Sequence, residues 1–243
     1  MIVIPDIHGR SFWREAVEGN EQEQIVFLGD YMDPYPYEGI RYADAAMNFD
    51  QIIAFKKNHP DNVVLLIGNH DISYMMFRNW ARARFDMQHC VELHQRFQEN
   101  WSLFQLAFQK DIDGKRYYFS HAGISRKFLK ECNLSADHEQ LVATLNNRLA
   151  HNDASLFDSL DRISWYRGGN SQFGSMVWAD VCEYDNDPED LIGDYQVFGH
   201  TQLEDAIVTE KFACLDCRRA FRLDEKGIIC EISGDPLTVE KAD

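Results

Sequence analysis

Short hydrophobic runs in this chain end repeatedly in aspartate, asparagine or histidine. The apolar run at 63–67 is followed by the letters G-N-H-D at 68–71, which indicates a buried strand opening into a polar loop. Four further runs end in the same manner, with D-I-H at 6–8, G-D-Y-M-D at 29–33, H-A-G at 121–123 and G-H-T at 199–201. This layout is typical of a site built at the carboxyl ends of sheet strands.

The polar residues at these strand ends have the chemistry of transition-metal ligands. Carboxylate, imidazole and amide groups together suit Mn, Fe, Zn or Co better than Ca, which takes oxygen ligands. Six ligands exceed what one ion with an open position needs, and they fit two ions that share a carboxylate at a separation of ~3.5–4 Å. The candidates are Asp6, His8, Asp30, Asn69, His121 and His200. Other histidines lack this context and are interpreted as structural or surface residues: His59, His89, His94, His138 and His151.

Alternating strand and helix patterns position the first three motifs. Helices are predicted from Ser11, as the N-cap, through Val17 and again at 40–58. They connect three predicted strands, at 2–4, 25–28 and 63–67. Strand, helix, strand, helix, strand is the pattern of βαβ crossovers, so an α/β fold is expected.

The rest of the chain is less regular. Residues 72–110 show no strand pattern, and their spaced aromatic residues, Trp80 among them, predict two or three helices that pack in the core or form a lid. We therefore expect one domain over 1–243 with a helical insertion at about 72–110. A helix is predicted at 135–149, and short strands at 117–119, 195–198, 206–208, 212–217, 220–223 and 228–232.

The composition limits the possible partners. The net charge of -16 argues against nucleic-acid backbones and anionic membranes, both of which attract clustered Lys and Arg. No apolar run reaches membrane-spanning length, and the first strand begins at once without a basic leader. A cytoplasmic location with reduced cysteines is expected, and the C-x-x-C pair at 214–217 is interpreted as packing rather than as a zinc site.

The order of the motifs resembles a known family. D-x-H, G-D-x-x-D, G-N-H-D, H-A-G and G-H-T follow one another over residues 6–201, as in the metal-dependent phosphoesterases of the calcineurin-like superfamily. More narrowly, the chain is similar to the serine/threonine phosphoprotein phosphatase branch. The resemblance implies an α/β fold with a central mixed β-sandwich, helices on its outer faces and a dinuclear metal site at the strand ends.

The resemblance also implies a role for each motif residue. Asp6 and His8 would hold the first ion, Asp30 would bridge both ions, and the second ion would be completed by Asn69, His121 and His200. The ions would be divalent transition metals, with manganese preferred and Fe, Zn or Co as alternatives. A hydroxide bridging the two ions would attack phosphorus. His70, oriented by Asp33, would protonate the leaving oxygen as general acid.

Two positions depart from the family pattern. Pro34 stands where phosphoprotein phosphatases have a phosphate-binding Arg after the Asp equivalent to Asp33. Arg167, in a W-x-R segment, is the preferred replacement, with Arg10 and Arg126 as weaker candidates because each lies beside a motif. Gln202 stands where many nuclease-like relatives have a second histidine, which favours the phosphatase branch.

These patterns predict an enzyme that hydrolyses phosphate monoesters of a protein or a small molecule. Cleavage of dinucleoside polyphosphates or other nucleotides on the same fold is the alternative. A non-catalytic metal-binding interaction protein is a further possibility. Intact His70 and Asp33 argue against it, because a metal scaffold needs neither.

Overall fold

The computed structural model describes residues 1–77, 84–136 and 140–232. Trp80, His138, the first part of the helix predicted at 135–149 and the last eleven residues lie outside the described residues. Within them the strands are β1 (Ile2–Ile4), β2 (Ile25–Phe27), β3 (Val63–Leu66), β4 (Phe104–Gln105), β5 (Ala107–Ile112), β6 (Lys115–Ser120), β7 (Tyr195–Phe198), β8 (Ile207–Val208), β9 (Phe212–Cys214), β10 (Phe221–Leu223) and β11 (Ile229–Glu231).

The strands form two mixed sheets. The first has the order β11-β10-β1-β2-β3-β4, in which β1 to β4 are parallel and the two last strands of the chain are antiparallel. The second has the order β5-β6-β7-β9-β8, with three parallel central strands and an antiparallel strand at each edge. Parallel neighbours require crossover connections, and in the first sheet helices supply them.

Eight α-helices surround the sheets in the described part of the chain. They are α1 (Trp13–Val17), α2 (Tyr42–Asn58), α3 (Asn69–Met76), α4 (Cys90–Glu99), α5 (Arg126–Glu131), α6 (Leu141–Ala150), α7 (Ala154–Leu160) and α8 (Val181–Asn186). Short 3-10 turns lie at Pro36–Glu38 and Trp165–Arg167. None of the helices in the described ranges is long and apolar enough to cross a bilayer.

The two sheets pack face to face, and helices cover their outer faces. The layer between the sheets joins the first sheet to the second through buried Val3, Val26 and Val64 on one side and buried Phe119 and Val197 on the other. On the outer face of the first sheet, side chains of β1, β2 and β3 pack against α1 and α2. Helix α8 packs on the second sheet. Both faces of the central strands are therefore buried, which explains their continuous apolar runs.

The predicted α/β sandwich flanked by helices is confirmed, and three details differ. Strand β4 lies within 72–110 and β5 begins there, although that range shows no strand pattern in the sequence, because β4 has two residues and β5 is polar in its middle. Ser11 does not cap α1: the N-cap is Phe12, and the Ser11 carbonyl, not its hydroxyl, accepts from Arg14 N at 3.1 Å. Helix α5 was not predicted, although Ser125 Oγ caps it by accepting from Phe128 N.

Candidate metal centre

The loops after five strands bring the six predicted ligand residues to one edge of the sandwich. Each follows β1, β2, β3, β6 or β7, and each side chain is at most 5% exposed. Four residues at these loops have left-handed backbones, with φ of 42° at His8, 55° at Asp30, 59° at Asp33 and 66° at His200. Asp and His tolerate this conformation better than most residues, and it turns the chain sharply at the site.

Asp30 lies at the middle of the cluster. Its Oδ2 is 3.6 Å from His8 Nε2 and 3.5 Å from His121 Nε2. The other ring nitrogen of each histidine donates to a backbone carbonyl, His8 Nδ1 to Met32 O at 2.9 Å and His121 Nδ1 to Leu28 O at 2.8 Å. Both Nε2 atoms therefore carry an electron pair that faces a carboxylate oxygen, an arrangement that a cation between them would stabilise.

Burial keeps these imidazoles neutral. It lowers the pKa of His8 well below its usual value and lowers the pKa of His121 to about 3. Burial also raises the pKa of Asp6 and of Asp30, against backbone N–H groups that lower it. A divalent cation would lower the pKa of these two carboxyl groups again, because ionised carboxylates are the form that binds metal. The neutral imidazoles are already in their metal-binding form.

Asn69 and His200 converge on His121 from the other side. His121 Nε2 is 3.0 Å from Asn69 Oδ1 and 3.1 Å from His200 Nδ1. At most one of these contacts is a hydrogen bond, donated by His200, so the amide oxygen and the ring nitrogen face each other as two acceptors. His200 Nε2 is buried and has no hydrogen-bond partner among the described residues. Asp6 accepts from His200 N at 3.0 and 3.1 Å.

Two sets of side chains meet the geometric requirement for holding an ion, and they share Asp30. One set is His8, Asp30 and His70, and the other is Asp30, His121 and His200, with the ligand atoms in each set within 4.8 Å of one another. The donor atoms are imidazole nitrogens and oxygens, which fit a divalent transition metal. His70 is thus a member of the first set, which makes it a candidate ligand as well as a candidate acid.

His70 forms a hydrogen-bonded chain with two partners. Its Nδ1 is 2.6 Å from Asp33 Oδ2, and the Tyr74 hydroxyl donates to the other oxygen of Asp33. Asp86 N in turn donates to the Tyr74 oxygen at 2.7 Å. Asp33 therefore has both oxygens engaged and holds the His70 ring in one orientation. Tyr74 was not identified from the sequence, although it lies one helical turn after His70.

Asp71 joins the loops rather than facing the site. Its carboxylate accepts three backbone N–H groups, from Gly68 and Asp30 at 2.7 Å and from Tyr31 at 3.0 Å. Burial raises the pKa of Asp71 to about 7, against these three hydrogen bonds, which lower it. This side chain fixes the second motif loop to the third, a role that the letter D in G-N-H-D does not reveal.

The predicted substrate-binding arginines lie at the margin of the cluster and have partners. Arg167 Nη1 is 3.3 Å from Asp180 Oδ2, and its Nη2 donates to His200 O at 3.1 Å. Arg10 pairs with Glu38 at 3.0 Å and reaches the backbone oxygen of Asp6 at 3.3 Å. Arg126 instead reaches the backbone of Glu189 at 3.3 Å. Arg84, which the sequence analysis did not single out, donates to Asp33 O at 3.0 Å.

Two glycines allow the carboxylates to approach the backbone. A Cβ on Gly68 would lie 2.0 Å from Asp30 Oδ1, and one on Gly199 would lie 2.1 Å from Asp6 Oδ2. We expect Gly68→Ala to displace Asp30 and to weaken metal binding by at least the ~10–100-fold typical of substitutions that disturb a ligand's support. Elemental analysis after dialysis against trace metal measures the effect.

The matched control is Gly114→Ala, where a Cβ meets nothing within 4 Å although φ is +76°. It is expected to lose stability through backbone strain and to keep its metal content. Full metal occupancy in Gly68→Ala would contradict the role assigned to Gly68.

Two mixed sheets with neutral imidazoles, an amide and buried carboxylates at their strand ends define a metal-binding α/β protein. The family model for calcineurin-like phosphoesterases matches residues 1–203, so the chain belongs to that family and is a phosphoesterase. The family implies divalent metal ions, which agrees with the two His and Asp sets. Among curated proteins, none matches the chain significantly.

Solved phosphatase structures share the fold at low sequence identity. A cold-active protein-tyrosine phosphatase from a psychrophilic Shewanella species aligns with a TM-score of 0.55 and 14% identity, over 96% of this chain and 80% of that chain. A protein serine/threonine phosphatase from Saccharomyces cerevisiae, similar to human phosphatase PP5, aligns with a TM-score of 0.53 and 16% identity, over 100% and 81%. At these identities the likeness concerns the fold alone.

Proposed function

We propose that this protein hydrolyses phosphate monoesters, on a protein or a small molecule, with two divalent transition-metal ions. The observation that carries the proposal is the position of Asp30 Oδ2 between two unprotonated imidazole nitrogens, those of His8 and His121. The His70–Asp33 pair beside this cluster adds a proton donor where a leaving group would depart. Metal-assisted ester hydrolysis requires metal ligands and a general acid at the same site.

We assign the ligands as follows. Asp6 and His8 would hold one ion, and Asp30 would be shared by both ions. The coordination of the other ion would be completed by Asn69, His121 and His200. When bound, such ions lower the pKa of water and neutralise charge on the phosphoryl oxygens. The nitrogen and oxygen donors fit manganese, iron, zinc or cobalt, and the preference for manganese rests on the resemblance to the family.

His70 is assigned as the general acid. Its Nδ1 is held by Asp33, so Nε2 is the ring atom available for the leaving oxygen. The Asp33 carboxylate, fixed in turn by Tyr74, orients the ring and favours one tautomer. A protein that only bound metal would have no use for this chain of hydrogen bonds, which favours catalysis over a purely structural role.

Arg167 and Arg10 are assigned to substrate binding. Arg167 Nη2 contacts the carbonyl of His200, which places a guanidinium next to one ligand. Arg10 lies on the opposite side, at the backbone of Asp6. Both also face a carboxylate, Asp180 and Glu38, so part of their charge is already compensated.

The fold neighbours support a phosphorylated substrate. The Shewanella and yeast proteins are phosphatases of phosphotyrosine and of phosphoserine or phosphothreonine by their names, which agrees with a monoester substrate here. The net charge of -16 makes nucleic-acid backbones and anionic membranes poor partners. The six cysteines are free, and we propose the cytoplasm, where thiols stay reduced, as the compartment.

A groove that begins at Gln202, two residues after His200 in the chain, favours nucleotide hydrolysis as the second candidate function. It has a volume of about 530 Å³ and is lined by Gln202, Leu203, Glu204, Cys217 and Arg218. Arg218 lies 6.0 Å from the ring of Tyr37, which is 67% exposed. An exposed aromatic ring next to a guanidinium can stack on a nucleobase while the phosphates reach the metal side.

A substrate panel on protein of measured metal content separates these functions. Phosphopeptides, a chromogenic aryl phosphate, dinucleoside polyphosphates and nucleotides are compared with manganese added. Higher kcat/KM on phosphopeptides or the aryl phosphate supports the monoester function, and higher kcat/KM on dinucleoside polyphosphates supports the second. No turnover at full metal occupancy would overturn both and leave a binding protein.

Metal binding is expected to stabilise the protein more in mild base than in mild acid. Burial raises the pKa of Asp6 and Asp30, so the metal-free fold holds protons there that the unfolded chain has released. The stabilising contribution of Asp6 and Asp30 to the metal-free fold is present at low pH and is lost as pH rises through their raised pKa values. Bound cations replace these protons and compensate the carboxylate charge.

Thermal unfolding with and without manganese measures this effect. We expect a larger increase of Tm at about pH 8 than at about pH 5.5, where protons compete with the ion for the same oxygens. The carboxylates account for this difference, since burial lowers the pKa of His8 and His200 and keeps their rings in the neutral form that binds metal. An increase of Tm that is equal at both pH values would contradict the assigned ligands.

A further inference from the structure

Arg84 places a guanidinium at the metal centre from outside the sequence motifs. Its Nη2 donates to Asp33 O at 3.0 Å and lies 3.3 Å from His8 Nδ1, while its Cζ lies 3.6 Å from the centre of the Tyr35 ring. His8 Nδ1 already donates to a carbonyl, so it cannot accept from Arg84. The cation therefore rests on one carbonyl and one aromatic face.

Arg84 forms no close ion pair with a carboxylate of the described residues. Within these residues no Asp or Glu oxygen lies within 4.0 Å of its guanidinium, whereas Arg10 pairs with Glu38 and Arg167 with Asp180. Its Nε is buried and has no hydrogen-bond partner in the described ranges. A half-buried cation with an unused donor is suited to an anionic ligand, because a ligand oxygen would supply the missing partner.

The orientation of Arg84 is fixed before any ligand binds. Stacking on Tyr35 holds the plane of the guanidinium, and the Asp33 carbonyl holds one of its terminal nitrogens. The same Asp33 orients His70, so the cation and the proton donor are anchored on one residue. Pro34, next in the chain, has neither an N–H nor a charge to offer. A planar guanidinium that is already held in one orientation can donate two parallel hydrogen bonds to two oxygens of a phosphoryl group.

We propose that Arg84 binds the non-bridging oxygens of the phosphoryl group and makes the site prefer dianionic monoesters over monoanionic diesters. This inference rests on the proposed phosphoesterase site and names the substrate class that it selects. A monoester carries a second negative charge and one more free oxygen than a diester. Of the arginines described at the site, Arg84 is the one that forms no ion pair with a carboxylate. Removing it should therefore weaken monoester binding more than diester binding.

Binding of inorganic phosphate to the manganese-loaded protein tests the contact without relying on turnover. Calorimetric titration compares wild type with Arg84→Ala and Arg84→Gln, and uses Arg116→Ala as control, since Arg116 is exposed and paired with Asp111 at 3.0 Å. We expect Kd for phosphate to increase ~10–100-fold in both Arg84 variants and to stay unchanged in Arg116→Ala. Metal content should be the same in all four proteins.

The ester preference gives the second measurement. The ratio of kcat/KM for para-nitrophenyl phosphate to that for bis-para-nitrophenyl phosphate should fall by ~10-fold or more in both Arg84 variants. Phosphate affinity within about twofold of wild type at equal metal content would overturn the inference while leaving the phosphoesterase function standing. Metal loss in both variants would also overturn it, because Arg84 would then support His8. If wild type cleaves neither ester, the phosphate titration alone still decides for or against the contact.

Discussion

Replacing His70 with asparagine is expected to slow hydrolysis of alkyl and seryl phosphates by ~10²–10⁴ and to affect nitrophenyl phosphate far less. An alkoxide leaving group needs a proton in the transition state, whereas nitrophenolate leaves almost without one. His70 is placed for this transfer because its Nδ1 is held by Asp33 at 2.6 Å, which leaves Nε2 for the substrate. Asp33→Asn should show the same selectivity more weakly, since Asp33 orients the ring without giving the proton.

Metal content must be measured beside the rates, because His70 also lies in one of the two sets that can hold an ion. His151→Asn is the matched control, since His151 is exposed and its ring contacts only the backbone of Asn147 among the contacts described for it. If His70→Asn loses an ion, His70 is a ligand and the acid assignment is wrong. Equal slowing of both substrates with metal retained would instead place His70 in substrate binding or in activation of the nucleophile.

The strand ends could be predicted because their signal is local. Each of the apolar runs before Asp6, Asp30, Asn69, His121 and His200 is a strand that is buried on both faces, so hydrophobicity alone marks where it stops. A polar residue immediately after such a run has to face the edge of the sheet. The order of the motifs then resembled a family, and the family model matches residues 1–203.

Other parts of the site depend on contacts between distant residues and leave no local pattern. Arg84 reaches Asp33 across 51 positions of the chain, and Asp71 reaches the backbone of Asp30 across 41. Tyr74 shares Asp33 with His70, but its position on α3 is equally compatible with a core tyrosine. Propensity and periodicity describe neighbours in sequence, so the roles of these three residues can be recognised only from the three-dimensional structure.

The left-handed residues illustrate the same limit at the level of the backbone. His8, Asp30, Asp33 and His200 all have positive φ, and glycine is the residue that sequence analysis usually assigns to such positions. Here three of the proposed ligands, together with Asp33, adopt the conformation themselves, held by hydrogen bonds such as that from His8 N to Asp30 O at 2.7 Å. Conformational strain at the site is therefore offset by tertiary contacts, which a pattern of residue types does not contain.

Replacing Asp30 with asparagine is expected to remove both ions, whereas Asp6→Asn should weaken mainly one. Asp30 Oδ2 faces His8 on one side and His121 on the other, and Asp30 is the member common to both sets. An amide keeps the shape but loses the charge that attracts two cations. We expect each affinity to fall by more than the ~10–100-fold typical of an outer-shell substitution, and activity to fall with it.

Elemental analysis and calorimetric titration with manganese measure the number of ions and their affinities. Asp111→Asn is the control, because Asp111 is exposed and pairs only with exposed Arg116 in the described ion pairs. Asp30 Oδ1 also accepts a hydrogen bond from His70 N at 3.0 Å, and the Asp30→Asn variant loses the negative charge on this acceptor. A secondary loss of the acid function of His70 is therefore expected. Two ions retained at wild-type affinity in Asp30→Asn would show that the sets do not share this carboxylate. One ion retained would show that Asp30 serves a single site, in which case the second cation needs a ligand set without it.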